Sequence, residues 1–128
     1  MIDMKFVLGG KAIFTVSNDK GEHFTYKIAK HQTIDMFFAH VLSGADGMYT
    51  YMGIFDRSRG VVVKGAKGIA PTCKSVKVLE WAIRVINGLS AIPVGYEIQH
   101  EGKCSKCGRP LTDPESIRTG MGSTCRNK

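Results

Sequence analysis

The sequence predicts an α+β fold. An antiparallel β-sheet of about five strands is packed by one main helix and followed by a compact C-terminal cysteine module. Three observations carry this. Short β-branched and aromatic runs, separated by turn residues, fill residues 11–64. A single strongly amphipathic run follows, ending at Asn87-Gly88. Three of the four cysteines then fall between positions 104 and 125.

The first hairpin lies between Lys11 and Ala29, entered through Gly9-Gly10 as a flexible lead. Ala12 to Ser17 is β-branched and aromatic, and Asn18-Asp19-Lys20-Gly21 has turn chemistry. In the return strand Phe24, Tyr26 and Ile28 face one way, and His23, Thr25 and Lys27 face the other, wet side. A second hairpin pairs Asp35–Leu42 with Met48–Phe55 across a loop containing two glycines. The alternation of its first strand is weak, and a short helix is the alternative there. Asp56 to Gly60 turns the chain into a short strand, Val61 to Lys64.

The helix opens at Pro71 or Thr72, with Thr72 an acceptable N-cap. Val76, Leu79, Ala82, Ile83 and Ile86 form its apolar stripe, widened by Val78, Trp81 and Val85. Asn87-Gly88 stops it, Pro93 prevents continuation, and Val94 to Gln99 returns as a strand. Residues 1–99 are thus the sheet and helix. Residues 100–128 are a metal-binding module fused to the last strand, and the two parts form one compact unit.

Composition bounds the function. The 128 residues are 43% hydrophobic and 9% aromatic, which suits a folded core. A formal net charge of +7 favours acidic partners, nucleic acid first and an acidic protein surface second. No apolar run approaches the roughly 20 residues that span a bilayer. The N-terminus lacks the pattern of a signal peptide, so a cytoplasmic protein is expected. No membrane partner and no small-molecule substrate is inferred.

Cys104 and Cys107 form a C-x2-C knuckle, with Gly108 where the chain must bend, and Cys125 follows. His100 stands four residues ahead of Cys104. This donor set suits one structural, tetrahedral Zn²⁺ held by His100, Cys104, Cys107 and Cys125, in the manner of treble-clef and zinc-ribbon sites. Cys73 is the alternative fourth ligand, although its place at a helix start favours a small buried residue. A redox role for the C-x2-C pair fits less well, because no buried strand precedes it and a third cysteine follows. Asp113 and Pro114 read as the cap and first residue of a short helical turn between the ligands.

The run Cys104-x2-Cys107-Gly108-Arg109-x-Leu111-Thr112-Asp113-Pro114-x-Ser116-Ile117-x2-Gly120-x-Gly122-x2-Cys125 resembles a small domain of unknown function found chiefly in bacteriophage and prophage proteins. Upstream, Tyr49-Thr50-Tyr51-Met52-Gly53, Leu79-Glu80-Trp81 and His100-Glu101-Gly102-Lys103 are similar to a phage architecture with the same order of parts, so the likeness covers most of the chain. It implies a phage origin and a bound zinc, with His100, Cys104, Cys107 and Cys125 at the family's Cys/His positions. It implies no established reaction. A long basic loop that such proteins often carry before the helix is short here.

No H-E-x-x-H, P-loop, G-x-S-x-G or zinc-deaminase pattern is present, and a non-enzymatic protein is expected. Basic residues instead define a candidate surface for nucleic acid or a host nucleoprotein complex. Arg57, Arg59, Lys64 and Lys67 form one segment, while Lys103, Lys106 and Arg109 decorate the module. Phe24, Tyr49 and Tyr51 are potential stacking residues, but their alternation favours sheet core. The competing function is a protein–protein inhibitor of a host antiviral complex, an anti-CRISPR or similar counter-defence protein.

Overall fold

A computed structural model describes residues 2–44, 46–63, 67–122 and 125 of the chain. A short helix missed by sequence reasoning, Met4–Val7 (α1), opens it. Asp3 caps α1 by accepting the Phe6 N–H at 3.0 Å, and Phe6 and Val7 are buried. Four residues are too few to show a helical period.

Lys11–Asn18 (β1) and His23–Lys30 (β2) pair with Phe14 opposite Tyr26 and Ala12 opposite Ile28. Their turn is organised by Asn18, whose Oδ1 accepts the N–H groups of Lys20 and Glu22, each at 3.0 Å. Phe37–Leu42 (β3), Tyr49–Asp56 (β4) and Val61–Val63 (β5) extend the meander. Ala39 pairs with Gly53 but His40 pairs with Tyr51, so Met52 is the extra residue of a β-bulge and turns into the core.

Lys74–Ile86 (α2) follows, and Tyr96–His100 (β6) returns beside β1, with Val16 opposite Ile98. The sheet is antiparallel and six-stranded in the order β5-β4-β3-β2-β1-β6. The sheet thus has six strands where about five were expected, because the returning strand joins it at the β1 edge. Pro114–Thr119 (α3) is the last helix, capped by Asp113, which accepts the Ser116 N–H at 2.9 Å.

One face of the sheet is the core face. Phe14, Tyr26, Ile28, Ala39 and Phe55 point into it and meet Val76, Leu79, Ala82 and Ile83 of α2. Burying each large aliphatic side chain is worth about 1.5–3 kcal/mol, which is why the helical stripe docks here. Two polar contacts fix the helix. The Tyr26 hydroxyl donates to the Ser75 carbonyl at 2.6 Å, and the Val62 N–H donates to the Glu80 carboxylate at 2.8 Å. The helix begins one residue later than the Thr72 cap predicts. Cys73 takes the N-cap position without a side-chain bond and is exposed, contrary to the buried role expected for it.

The register places Ile13, Lys27, His40 and Tyr51 side by side on the opposite face. No helix among the described residues is long and apolar enough to cross a membrane.

Candidate metal centre

The C-terminal module grows directly from β6. The Cys104 N–H donates to the Arg109 carbonyl at 2.8 Å, the Gly108 N–H to the Cys104 carbonyl at 2.9 Å, and the Leu111 N–H to the Gly102 carbonyl at 2.8 Å. This closes a tight loop around the C-x2-C pair. Gly108 takes the positive φ of 78° that the bend requires. The Lys106 N–H points at Cys104 Sγ, 3.4 Å away.

The loop is stitched to the rest of the molecule at two places. The Lys11 N–H donates to the Ser105 carbonyl at 2.6 Å, and the Ser105 N–H to the Gly120 carbonyl at 3.0 Å. Both contacts depend on glycine. A Cβ on Gly9 would fall on Ser105, whose carbonyl oxygen would be 2.8 Å away, and a Cβ on Gly120 would strike the Phe6 ring. Gly9 therefore serves a close approach rather than a flexible lead.

Cys104, Cys107 and Cys125 bring their sulfurs within 4.8 Å of one another. A tetrahedral zinc with Zn–S bonds of about 2.3 Å sets sulfurs about 3.8 Å apart, so this cluster fits a metal with minor adjustment. Cys104 is buried, Cys125 half-buried and Cys107 exposed. Burial disfavours the Cys104 thiolate, but the surrounding Cys107, Gly122 and Lys106 N–H groups outweigh it and hold the thiol at about 6. Cys125 is pushed up to about 11 by burial and by the two neighbouring sulfurs. Three adjacent thiols do not all ionise by themselves. A divalent cation among them supplies the compensating charge. A cleft of about 380 Å³ opens beside the sulfurs, with Arg109, Asp113 and Ser116 in its wall.

His100, expected as the fourth ligand, lies outside this three-cysteine cluster among the described residues. Its Nδ1 accepts the Gly102 N–H at 2.8 Å, leaving the Nε2–H to donate to the Ile117 carbonyl. Its ring also packs on Phe6, with centroids 5.8 Å apart. The H-x3-C spacing reflects a histidine that ties β6 to α3. Cys73, the alternative, also lies outside the cluster.

The basic residues divide into two groups. Arg57 forms a double hydrogen bond with Asp35 and lies over the Phe37 ring, 5.5 Å from its centroid. Arg59 donates from Nε to Asp56 at 2.8 Å. Both therefore stand in exposed ion pairs with neighbouring carboxylates. Lys67 is exposed, and Lys64 lies outside the described residues. Lys103, Lys106 and Arg109 are exposed around the cysteine knuckle, with no salt bridge recorded to them among the described residues.

Tyr49 and Tyr51, expected in the core, stand half-buried on the opposite face of the sheet. Only Phe24 of the three candidate stacking residues packs against the core. Thr25, expected to be wet, is buried, with its hydroxyl 2.7 Å from that of Thr15. The signal for a second apolar face lay in β3, where Phe37, Ala39 and Val41 alternate with Phe38, His40 and Leu42. Residues of both parities are apolar or aromatic, yet only one helix is available to cover them.

Residues 97–128 match the model of a family of unknown function, DUF6011. The matched segment begins within β6 and takes in the whole cysteine module. No curated protein and no solved structure matches the chain.

Proposed function

We propose that the protein is a non-enzymatic, phage-encoded, zinc-stapled module that binds nucleic acid, free or within a host nucleoprotein complex. The observation that carries this is the placement of Lys103, Lys106 and Arg109. All three are exposed on the loop that the cysteine cluster shapes, in a chain of net charge +7. Cys104, Cys107 and Cys125 would hold the zinc. Its role is structural, because the ligand loop is sutured to β1 and to the end of α3, so the metal fixes where those cations point. Three thiolates also leave the zinc complex anionic, which weakens it as a Lewis acid. Expression in the host cytoplasm fits a thiol site that needs a reducing compartment.

The test is oligonucleotide binding by the variant Lys103→Glu/Lys106→Glu/Arg109→Glu. It is expected to lose at least about tenfold in affinity at low salt, whereas Arg57→Glu/Arg59→Glu changes affinity less than about threefold. Equal losses from both variants, or none from the first, would sink the assignment of this surface.

One observation favours inhibition of a host protein complex as a second reading. Leu89 and Val94, 76% and 103% exposed, lie in the α2–β6 connection, and Tyr96 at the start of β6 is exposed as well. Such apolar exposure suits a protein partner. On this reading Leu89→Glu/Val94→Glu removes counter-defence activity in infected cells and leaves oligonucleotide affinity unchanged.

A further inference from the structure

We propose that the uncovered face of the sheet is a stacking platform for single-stranded nucleic acid, continuous with the cysteine knuckle through Lys11. It rests on the nucleic-acid reading above and adds the site and the strandedness. The register across β2, β3 and β4 sets Lys27, His40 and Tyr51 in one row, with Phe38 in the next row and Tyr49 one position beyond. Their rings form a connected group. Phe38 and Tyr51 have centroids 6.1 Å apart, and His40 and Tyr51 5.5 Å apart. Lys27 holds its ammonium 5.5 Å from the centre of the Tyr49 ring. No helix among the described residues packs on this side. α2 takes the other face, and α1 and His100 pack there too, around Phe6 and Phe14.

The charge on this face selects an anionic occupant. Lys27 lies among the rings, and Lys11 starts the row that contains Phe38. Glu97 lies on the edge strand β6, Asp56 is held by Arg59 at the end of β4, and the Tyr49 pKa is raised by burial and by the Glu101 charge, which reaches its hydroxyl. The Lys11 stem reaches within ordinary contact distance, 3.9 Å, of where a Gly108 Cβ would be, so the face runs onto the knuckle that carries Lys103 and Lys106. From β1 to β4 is three strand spacings, about 14 Å, which accommodates two or three bases on an open sheet. Half-buried, mutually tilted rings on a sheet face that no described helix covers suit unpaired bases, since a duplex keeps its base faces stacked inside.

The experiment measures anisotropy with labelled oligothymidine and oligouridine, using Tyr51→Leu and Phe38→Leu, which keep apolar bulk but remove the ring. Each is expected to weaken binding at least about fivefold with an unchanged salt slope, while Tyr51→Phe stays within about twofold of wild type. A duplex of the same length should bind at least about tenfold more weakly than the single strand. Photo-crosslinking of wild-type protein to a thiothymidine strand, read by peptide mass, gives an independent answer if a leucine variant misfolds. Adducts at Tyr49, Tyr51 or Phe38 support the platform, and adducts confined to the knuckle overturn it. If wild type binds and the Leu variants bind equally well while the knuckle reversal fails, the platform is wrong and the nucleic-acid function stands. If wild type binds no strand at low salt, both fall. A dimer dissociated by Tyr51→Leu, with no oligonucleotide effect, makes the face a self-interface and overturns the proposal.

Discussion

Gly120 has a φ of +76°, and the Phe6 ring fills the space where its side chain would be. Gly120→Ala combines left-handed strain with overpacking, so it should cost at least about 2 kcal/mol, read as a lower midpoint in urea unfolding. A midpoint unchanged from wild type would mean that the module is not seated on α1. His40 makes a second point at this scale. Burial depresses its pKa below the ordinary 6.5, and the Lys27 charge adds to the effect, so the unfolded chain binds this proton more readily. The stability His40 contributes is complete above pH 6.5 and is lost as the pH falls through the depressed value of the folded state. Thermal melts between pH 7.5 and 5 should show a falling Tm, with a shallower fall for His40→Gln. Parallel profiles would show that His40 is solvated in the folded protein.

Among the elements, the first hairpin and α2 were legible because period-2 and period-3.6 patterns are strong over eight or more residues, whereas the six residues of β3 alternate weakly. Asn18-Asp19-Lys20-Gly21 and Asn87-Gly88 marked their ends correctly. α1 was not legible, because its four residues form a helix only through the Asp3 cap and the burial of Phe6 and Val7. The cysteine cluster was legible from spacing, whereas the fate of His100 was not. Ligation and a hydrogen bond to the Ile117 carbonyl both require a histidine near the knuckle, and spacing does not separate them. The ion pairs of Arg57 and Arg59 were hidden for a related reason. Their partners Asp35 and Asp56 are brought close by the β3–β4 pairing and by a local turn, which composition does not register. The metal gives this scale its prediction. Purified protein should carry about one zinc per chain, and a chelator should release it and raise amide exchange in residues 101–122. Cys104→Ser should do the same. Metal-free protein with identical exchange would remove the metal from the account.

The whole molecule is a single sheet with its two faces put to different uses. One face is closed by α2, α1 and the C-terminal module, and this closed side supplies the core. The other face carries no helix among the described residues and presents aromatic rings, Lys27 and a margin leading to the knuckle. That division was hidden in the sequence because Tyr49 and Tyr51 alternate as core residues do. Alternation reports which residues share a face but not whether a second layer covers it. The net charge of +7 is likewise a property of the whole chain, and the fold decides which cations remain unpaired. The central claim is that those cations hold nucleic acid. Its most direct test is the affinity of metal-loaded wild-type protein for a single-stranded oligonucleotide as salt rises from about 50 to 200 mM. Three phosphate contacts from Lys103, Lys106 and Arg109 predict that log K falls against log salt with a slope of about −2. Absence of binding at the lowest salt, or an affinity indifferent to salt, would contradict it.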